Sequence, residues 1–284
     1  MTTILTDNQH YSDIADAIRE QLGVQTTYLP SEMAAAILTI EGGGSSIDPS
    51  TVSWANSSWD DIAAALAGHY AGDFDLTEYW NIGDTRSVSL SAMSATGVNE
   101  SHAAQTVELV IMAAKHYDMS DNSGKAVFVI GQKDILAEKG YINSTSSISG
   151  GWDSCARRTW CNDVYKAALP SDLQSLVKQV NIVTSNGSGS TTATSSDYIF
   201  LPAEKEVFGS NSNANSTAEA SLSQYSWYQT ASNRKKNQSG SAGPWWERSP
   251  YTTGSGMCCR VIATGEAAAN SANSTEGIAP HFCI

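Results

Sequence analysis

The sequence predicts an α+β protein: a small helical module, a short linker, and a larger β-rich domain with central helices. Three observations carry this. Apolar residues recur at four-residue spacing in the first forty residues and again near residue 160, as amphipathic helices require. Two runs, Val107–Ala114 and Ala126–Ile130, are dense in β-branched residues and bounded by turn formers, as buried strands require. Between module and domain lies Gly42-Gly-Gly-Ser-Ser46, the composition of a flexible linker. The bounds drawn from these features are 1–41 for the module, 42–53 for the linker and 54–284 for the domain.

In chain order, Ser12 is placed as the N-cap of a first helix, with Asp13 and Asp16 near its positive end and Ile14, Ile18 and Leu22 as its stripe. Gly23 closes it, and Pro30 opens a second helix carrying Met33, Ile37 and Ile40. Two short helices bury little between themselves, so the module reads as an attachment piece that packs on a partner or on its own copies. Ser57 or Ser58 caps a third helix running to about Leu66. A Gly83-Asp84 turn leads into a strand with Val88 and Leu90. The run at 107–114, the turn Asp121–Lys125 and the run at 126–130 make a hairpin.

Trp160, Val164 and Ala167 then repeat at helical spacing up to Pro170. Ser171-Asp-Leu-Gln174 reads as a capping box ahead of a stripe of Leu173, Leu176, Val177 and Val180. Tyr198–Leu201 is a strand, and Pro202–Phe208 a short helix stopped by Gly209.

Composition excludes several functions. The 284 residues carry a net charge of -13, and such a surface repels phosphate, so nucleic acid is not an expected partner. Eight Trp and eleven Tyr argue against disorder. No stretch approaches ~20 apolar residues, so no membrane span is expected. The first residues lack the basic and apolar regions of a secretory signal, so a soluble, cytoplasmically made protein is expected. Five Cys, at 155, 161, 258, 259 and 283, match no zinc-ligand spacing and read as small buried hydrophobes. No metal and no cofactor is expected. Asp118, Asp121 and Asn122 do not have the spacing of a recognised calcium loop, and calcium stays open.

Catalytic constellations are sparse. The five His are scattered, and no phosphate-binding Gly loop or nucleophile elbow occurs. His116 and Asp118 read first as a hydrogen-bonded turn pair and second as an oriented base. Glu204 and Glu206 flank Lys205 and read as a solvated helix face.

The last forty residues are more telling. Trp245 and Trp246 on a strand point to opposite faces, one into the core and one against another surface. Arg248 then satisfies buried carbonyls or a carboxylate. Ile278–Ile284 alternates, with Phe282 on the apolar side, as a half-buried strand does. Between these anchors the chain is largely small and polar, with Met257–Val261 its one candidate core strand. Such loops on a rigid scaffold suit binding.

Gly140-Tyr-Ile-Asn-Ser, Gly150-Gly-Trp152, Arg158-Thr-Trp160, Leu169-Pro-Ser-Asp-Leu173, Asp197-Tyr-Ile-Phe-Leu201, Glu206-Val-Phe-Gly209, Trp245-Trp-Glu-Arg-Ser-Pro250 and Gly277-Ile-Ala-Pro-His-Phe282 occur in this order. Over about residues 75–284 the chain thereby resembles a family of domains frequent in tailed phages and prophages of Gram-positive hosts. That family is similar to the C-type-lectin-like fold of formylglycine-generating enzymes and the phage major tropism determinant. The N-terminal helices resemble a short module at the start of phage tail proteins.

The resemblance implies an antiparallel β core with two flanking helices and a ligand face made by the C-terminal loops. In tropism determinants a diversity-generating retroelement varies that segment. Here it holds Tyr251, Thr252, Thr253, Ser255, Arg260, Ile262, Thr264, Glu266, Asn270, Ser271, Asn273, Ser274 and Glu276, with Trp245, Trp246, Arg248 and Phe282 as scaffold. The expectation is a non-enzymatic tail receptor-binding protein of the virion. Its expected partners are a host cell-surface receptor (protein or glycan) and other tail proteins, in a homo-oligomer, a trimer suiting the tail axis. Two alternatives follow the same resemblance: a structural or decorative tail component, and a formylglycine-generating-type oxidase. The oxidase fits poorly, because Cys258 and Cys259 are adjacent rather than spaced.

Overall fold

The computed structural model describes residues 8–22, 27 and 47–284. The second helix placed at Pro30–Ile40, the Gly23 stop and most of the Gly/Ser linker lie outside these residues. The chain divides into two compact units, Met1–Val52 with Asp60–Leu76, and Ser53–Trp59 with Thr77–Ile284.

In the first unit, α1 spans Asn8–Leu22, so Ser12 lies inside the helix and is not its cap. Ile18 of the expected stripe is buried, with Ala15 beside it, while Ile14 is exposed. Helix α2, Trp59–Ala71, starts after Ser58 as expected and runs past Leu66 by more than a turn. It buries Ile62, Ala65 and Leu66, and its His69 Nδ1 accepts a hydrogen bond from the Leu76 amide at 3.2 Å.

The second unit mixes helices with antiparallel sheets. Its strands are β1 (Thr85–Leu90), β2 (Gln105–Ala114), β3 (Phe128–Gln132), β4 (Val180–Ser185), β5 (Thr192–Asp197), β6 (Ile199–Phe200), β7 (Lys236–Gln238), β8 (Ser241–Gly243), β9 (Trp245–Pro250), β10 (Met257–Val261), β11 (Ala267–Ser271) and β12 (His281–Cys283). A five-stranded sheet runs β1-β2-β3-β12-β6, a three-stranded one β11-β10-β9, and β4-β5 and β7-β8 form ribbons. The expected β2–β3 hairpin is present, with Ile111 opposite Ile130.

The C-terminal strand departs from expectation. β12 pairs with β3 on one side and β6 on the other, and Glu276–Ile284 is buried throughout. A strand hydrogen-bonded on both edges inside a covered sheet has no wet face, so it is central rather than half-buried.

In this unit two helical segments lie between β3 and β4 in sequence, and a third follows β6. α3, Ala156–Trp160, passes through a π turn, Cys161–Tyr165, into Lys166–Ala168. α4 spans Ser171–Leu176, with Pro170 as N-cap. Ser171 is therefore its first helical residue and makes no capping box; Gln174 Nε2 instead donates to Leu169 O at 2.7 Å. The expected stripe also stops short, because Val177 is extended and Val180 opens β4. α5, Glu204–Phe208, ends at Gly209, whose φ of 77° is the left-handed conformation a Cβ disfavours. Among the described residues no helix is long and apolar enough to cross a membrane.

Candidate functional site

Strand β9 is the hinge of the site's construction. All six of its residues are buried. Trp245 donates its indole N–H to Arg234 O at 2.9 Å and stacks on Tyr228; Trp246 donates to Gly140 O at 2.9 Å. The two rings thus go to different neighbours, and both are fully buried. Gly140 has to be glycine, because a Cβ there would run into the Arg157 guanidinium and Val98 O. Pairing of β9 with β10 slips: Trp246 faces Arg260 and Pro250 faces Cys258, so Glu247, Arg248 and Ser249 share Cys259 as their opposite number. Such a bulge re-aims side chains.

The re-aimed Arg248 makes a two-pronged ion pair with Glu206, Nη1 to Oε2 at 2.6 Å and Nη2 to Oε1 at 2.9 Å, and Nη1 donates to Leu201 O at 2.8 Å. Tyr117 and Tyr225 hydroxyls also donate to Glu206, at 2.6 and 3.0 Å. Burial alone would raise the Glu206 pKa, but the Arg248 charge and the hydrogen bonds hold it well below the carboxylate range. Glu204 is as deeply buried and accepts from the amides of Ser212, Asn213 and Ala214. The solvated face read from the sequence is therefore wrong for both acids. One is the counter-ion of the scaffold arginine, and the other folds a loop around itself. His116 faces Glu206, while Asp118 pairs with Lys125, so they are not an acid–base pair.

Glu247 differs from its neighbours. It is fully buried, and neither carboxylate oxygen has a hydrogen-bond partner among the described residues. Burial, then the nearby Glu204 and Glu219 charges, push its pKa well above the usual carboxylate value. All five cysteines are free and buried. Burial raises the thiol pKa of Cys258 and of Cys259, and Cys155 is pushed up to about 12. These thiols are the opposite of activated ones.

Past Pro250 the character changes. Of the thirteen residues singled out in 251–276, Thr253, Ser255, Thr264, Glu266 and Asn273 are exposed. Tyr251, Thr252, Arg260, Ile262, Asn270, Ser271 and Ser274 are half-buried, and only Glu276 is buried. Glu276 departs from its expected place on a ligand face. It is ion-paired to Arg260 and accepts from Asn270 Nδ2 at 2.6 Å, so these three form one internal cluster that ties β10 to the segment after β11. Thr264 donates to Glu266 across the β10–β11 turn, and Ser271 to Asn273 at 2.7 Å. Ser271 also meets Ser146 at 2.8 Å, a neighbour the sequence did not suggest. Edge strand β11, Ala-Ala-Ala-Asn-Ser, is half-buried at every position. Phe282, the remaining scaffold residue, is fully buried in β12 opposite Ile130.

Among the described residues no group of three or more His, Cys, Asp or Glu is arranged to hold a metal ion. The surface at 251–276 offers hydroxyls, amides, one exposed carboxylate and a half-buried tyrosine.

No curated protein and no solved structure matches the chain. Residues 126–284, more than half of it, match a family model described as a domain of unknown function, DUF6273. That match takes in β3 to β12, hence the bulged tryptophan strand and the whole accessible segment, and on this ground the chain belongs to the DUF6273 family.

Proposed function

We propose that this chain is a non-enzymatic recognition protein of a phage tail, built as a C-type-lectin-like domain on a helical attachment module. It binds a host-surface receptor, protein or glycan, through residues 251–276. The observation that carries the reading is a change of role along consecutive residues. The six residues of β9 are all buried, whereas twelve of the thirteen candidate positions that follow reach solvent at least in part. Substitutions at the exposed positions there leave the core untouched, which suits a face that varies with its target. A homotrimer on the virion tail would multiply shallow contacts into avidity.

The adhesion test uses exposed residues only. Arg260 is excluded, because removing it strands buried Glu276. The triple variant Thr253→Ala, Glu266→Ala, Asn273→Ala is expected to melt like the parent and to lose adsorption of the assembled particle to host cells. Unchanged adsorption would sink the proposed face and favour a structural tail component.

A further inference from the structure

The helical run from Ala156 to Ala168 has a π turn at its centre, and π turns inside helices concentrate at functional sites. Two clefts meet on this run and share exposed Thr159 and Asp163 as their common ridge. The first, about 290 Å³, has apolar walls from Val98, Ala156, Trp160 and Val164. The second, about 410 Å³, is lined mainly by polar side chains.

The polar groups of the second cleft fall into two sets. Arg158, Asn162 and Gln179 serve the fold. Arg158 Nε donates to Asp197 at 2.6 Å, Asn162 Nδ2 to Ile199 O at 3.0 Å, and Gln179 Nε2 to Ser196 O at 3.3 Å. The side chains of Thr159 and Asp163 and the Tyr198 hydroxyl have no hydrogen-bond or ion-pair partner among the described residues. The Lys166 ammonium lies 3.3 Å from the centre of the Tyr198 ring and has no carboxylate partner among them.

A carboxylate without a charge partner and an ammonium held over a ring, both on one wall, favour neither net charge in a ligand. A hydroxyl, donor and acceptor at once, satisfies both. The apolar recess beside them accepts a methyl-bearing substituent. We propose that the joined clefts bind a neutral saccharide bearing an N-acetyl group, an N-acetylhexosamine. Its ring hydroxyls meet Asp163, Thr159 and Lys166, and its acetamido methyl enters the recess of Val98, Ala156 and Val164. No residue of 251–276 lines either cleft, so this site goes beyond the recognition face and stands without it.

The test is a titration of N-acetylglucosamine, and separately of glucose, into the isotope-labelled full chain, followed through backbone amide resonances. Saturable shifts are expected at Gly97, Val98, Thr159 and Asp163, with N-acetylglucosamine about tenfold tighter than glucose. Asp163→Asn should weaken both sugars by about fivefold. Ala156→Phe, which fills the recess from an exposed position, should abolish the preference at an unchanged melting temperature. Equal affinities, shifts confined to other regions, or a preference that survives Ala156→Phe would overturn the proposal. The triple variant of the recognition face should keep its sugar affinity, so that loss of adsorption and loss of sugar binding report on separate sites.

Discussion

β9 and β11 are the two edges of one three-stranded sheet, yet they are built on opposite terms. β9 carries Trp, Trp, Glu, Arg, Ser and Pro, all buried; β11 carries Ala, Ala, Ala, Asn and Ser, all half-buried. Between them β10 is mixed, with Cys258, Cys259 and Val261 buried and Arg260 turned to Glu276. The sheet therefore grades from a scaffold edge to a contact edge over two strand widths, or about 10 Å. Specific shape comes from the first edge, and freedom to change side chains from the second.

The sharpest way to break this contrast is Arg248→Ala. It leaves Glu206 charged and buried with only tyrosine hydroxyls, His116 and an amide for partners, a loss of about 3–5 kcal/mol in urea unfolding. Survival with a loss below 1 kcal/mol would mean that the pair contributes no more than a surface bridge.

Glu247→Gln sharpens the contrast through pH. The native acid keeps its proton above the ordinary carboxylate pKa of 4.5, whereas the unfolded chain releases it. The unfolded state then binds fewer protons, so this residue lowers stability as pH rises from about 4.5 toward the raised folded value. Glu206 acts in the opposite sense, its depressed pKa adding stability above about 4.5 that is lost on acidification. Glu247→Gln should thus gain about 1 kcal/mol or more at pH 7 and nothing at pH 4, measured by chemical denaturation across pH. A gain that is the same at both values would contradict a protonated Glu247.

The smallest effects belong to the contact edge. Glu266→Ala and Asn273→Ala should each change stability by no more than about 0.5 kcal/mol, read as the urea midpoint. A larger loss would show that these side chains take part in holding the fold.

Local signals carried much of the architecture. The β2–β3 hairpin, the start of α2, the Gly209 stop and the strand at Trp245 all follow from neighbours in sequence. What stayed hidden depends on distant residues. Glu206 reads as a surface acid until Arg248, forty-two positions away, and Tyr117, eighty-nine away, close on it. Ser171 loses its cap role to Pro170, whose ring fixes an extended entry one residue earlier. β12 looks half-buried because alternation says nothing about which strands will pair on its two edges. At the candidate site, small polar composition marked out a stretch that reaches solvent at twelve of thirteen positions, but not the strand β11 or the Arg260–Glu276 pair inside it. The saccharide cleft had only a faint trace, Thr159 and Asp163 four apart on a helix otherwise marked by buried aromatics.

The position of residues 251–276 between two fully buried strands, β9 and β12, also fixes what the β10–β11 turn can tolerate. Its flanks are anchored whatever its length, and doubling a flexible loop costs only about 0.6 kcal/mol in closure entropy. The turn at Ile262–Glu266 is accordingly a natural place to graft longer peptides, so that this sheet serves as a display frame for binding sequences of foreign origin.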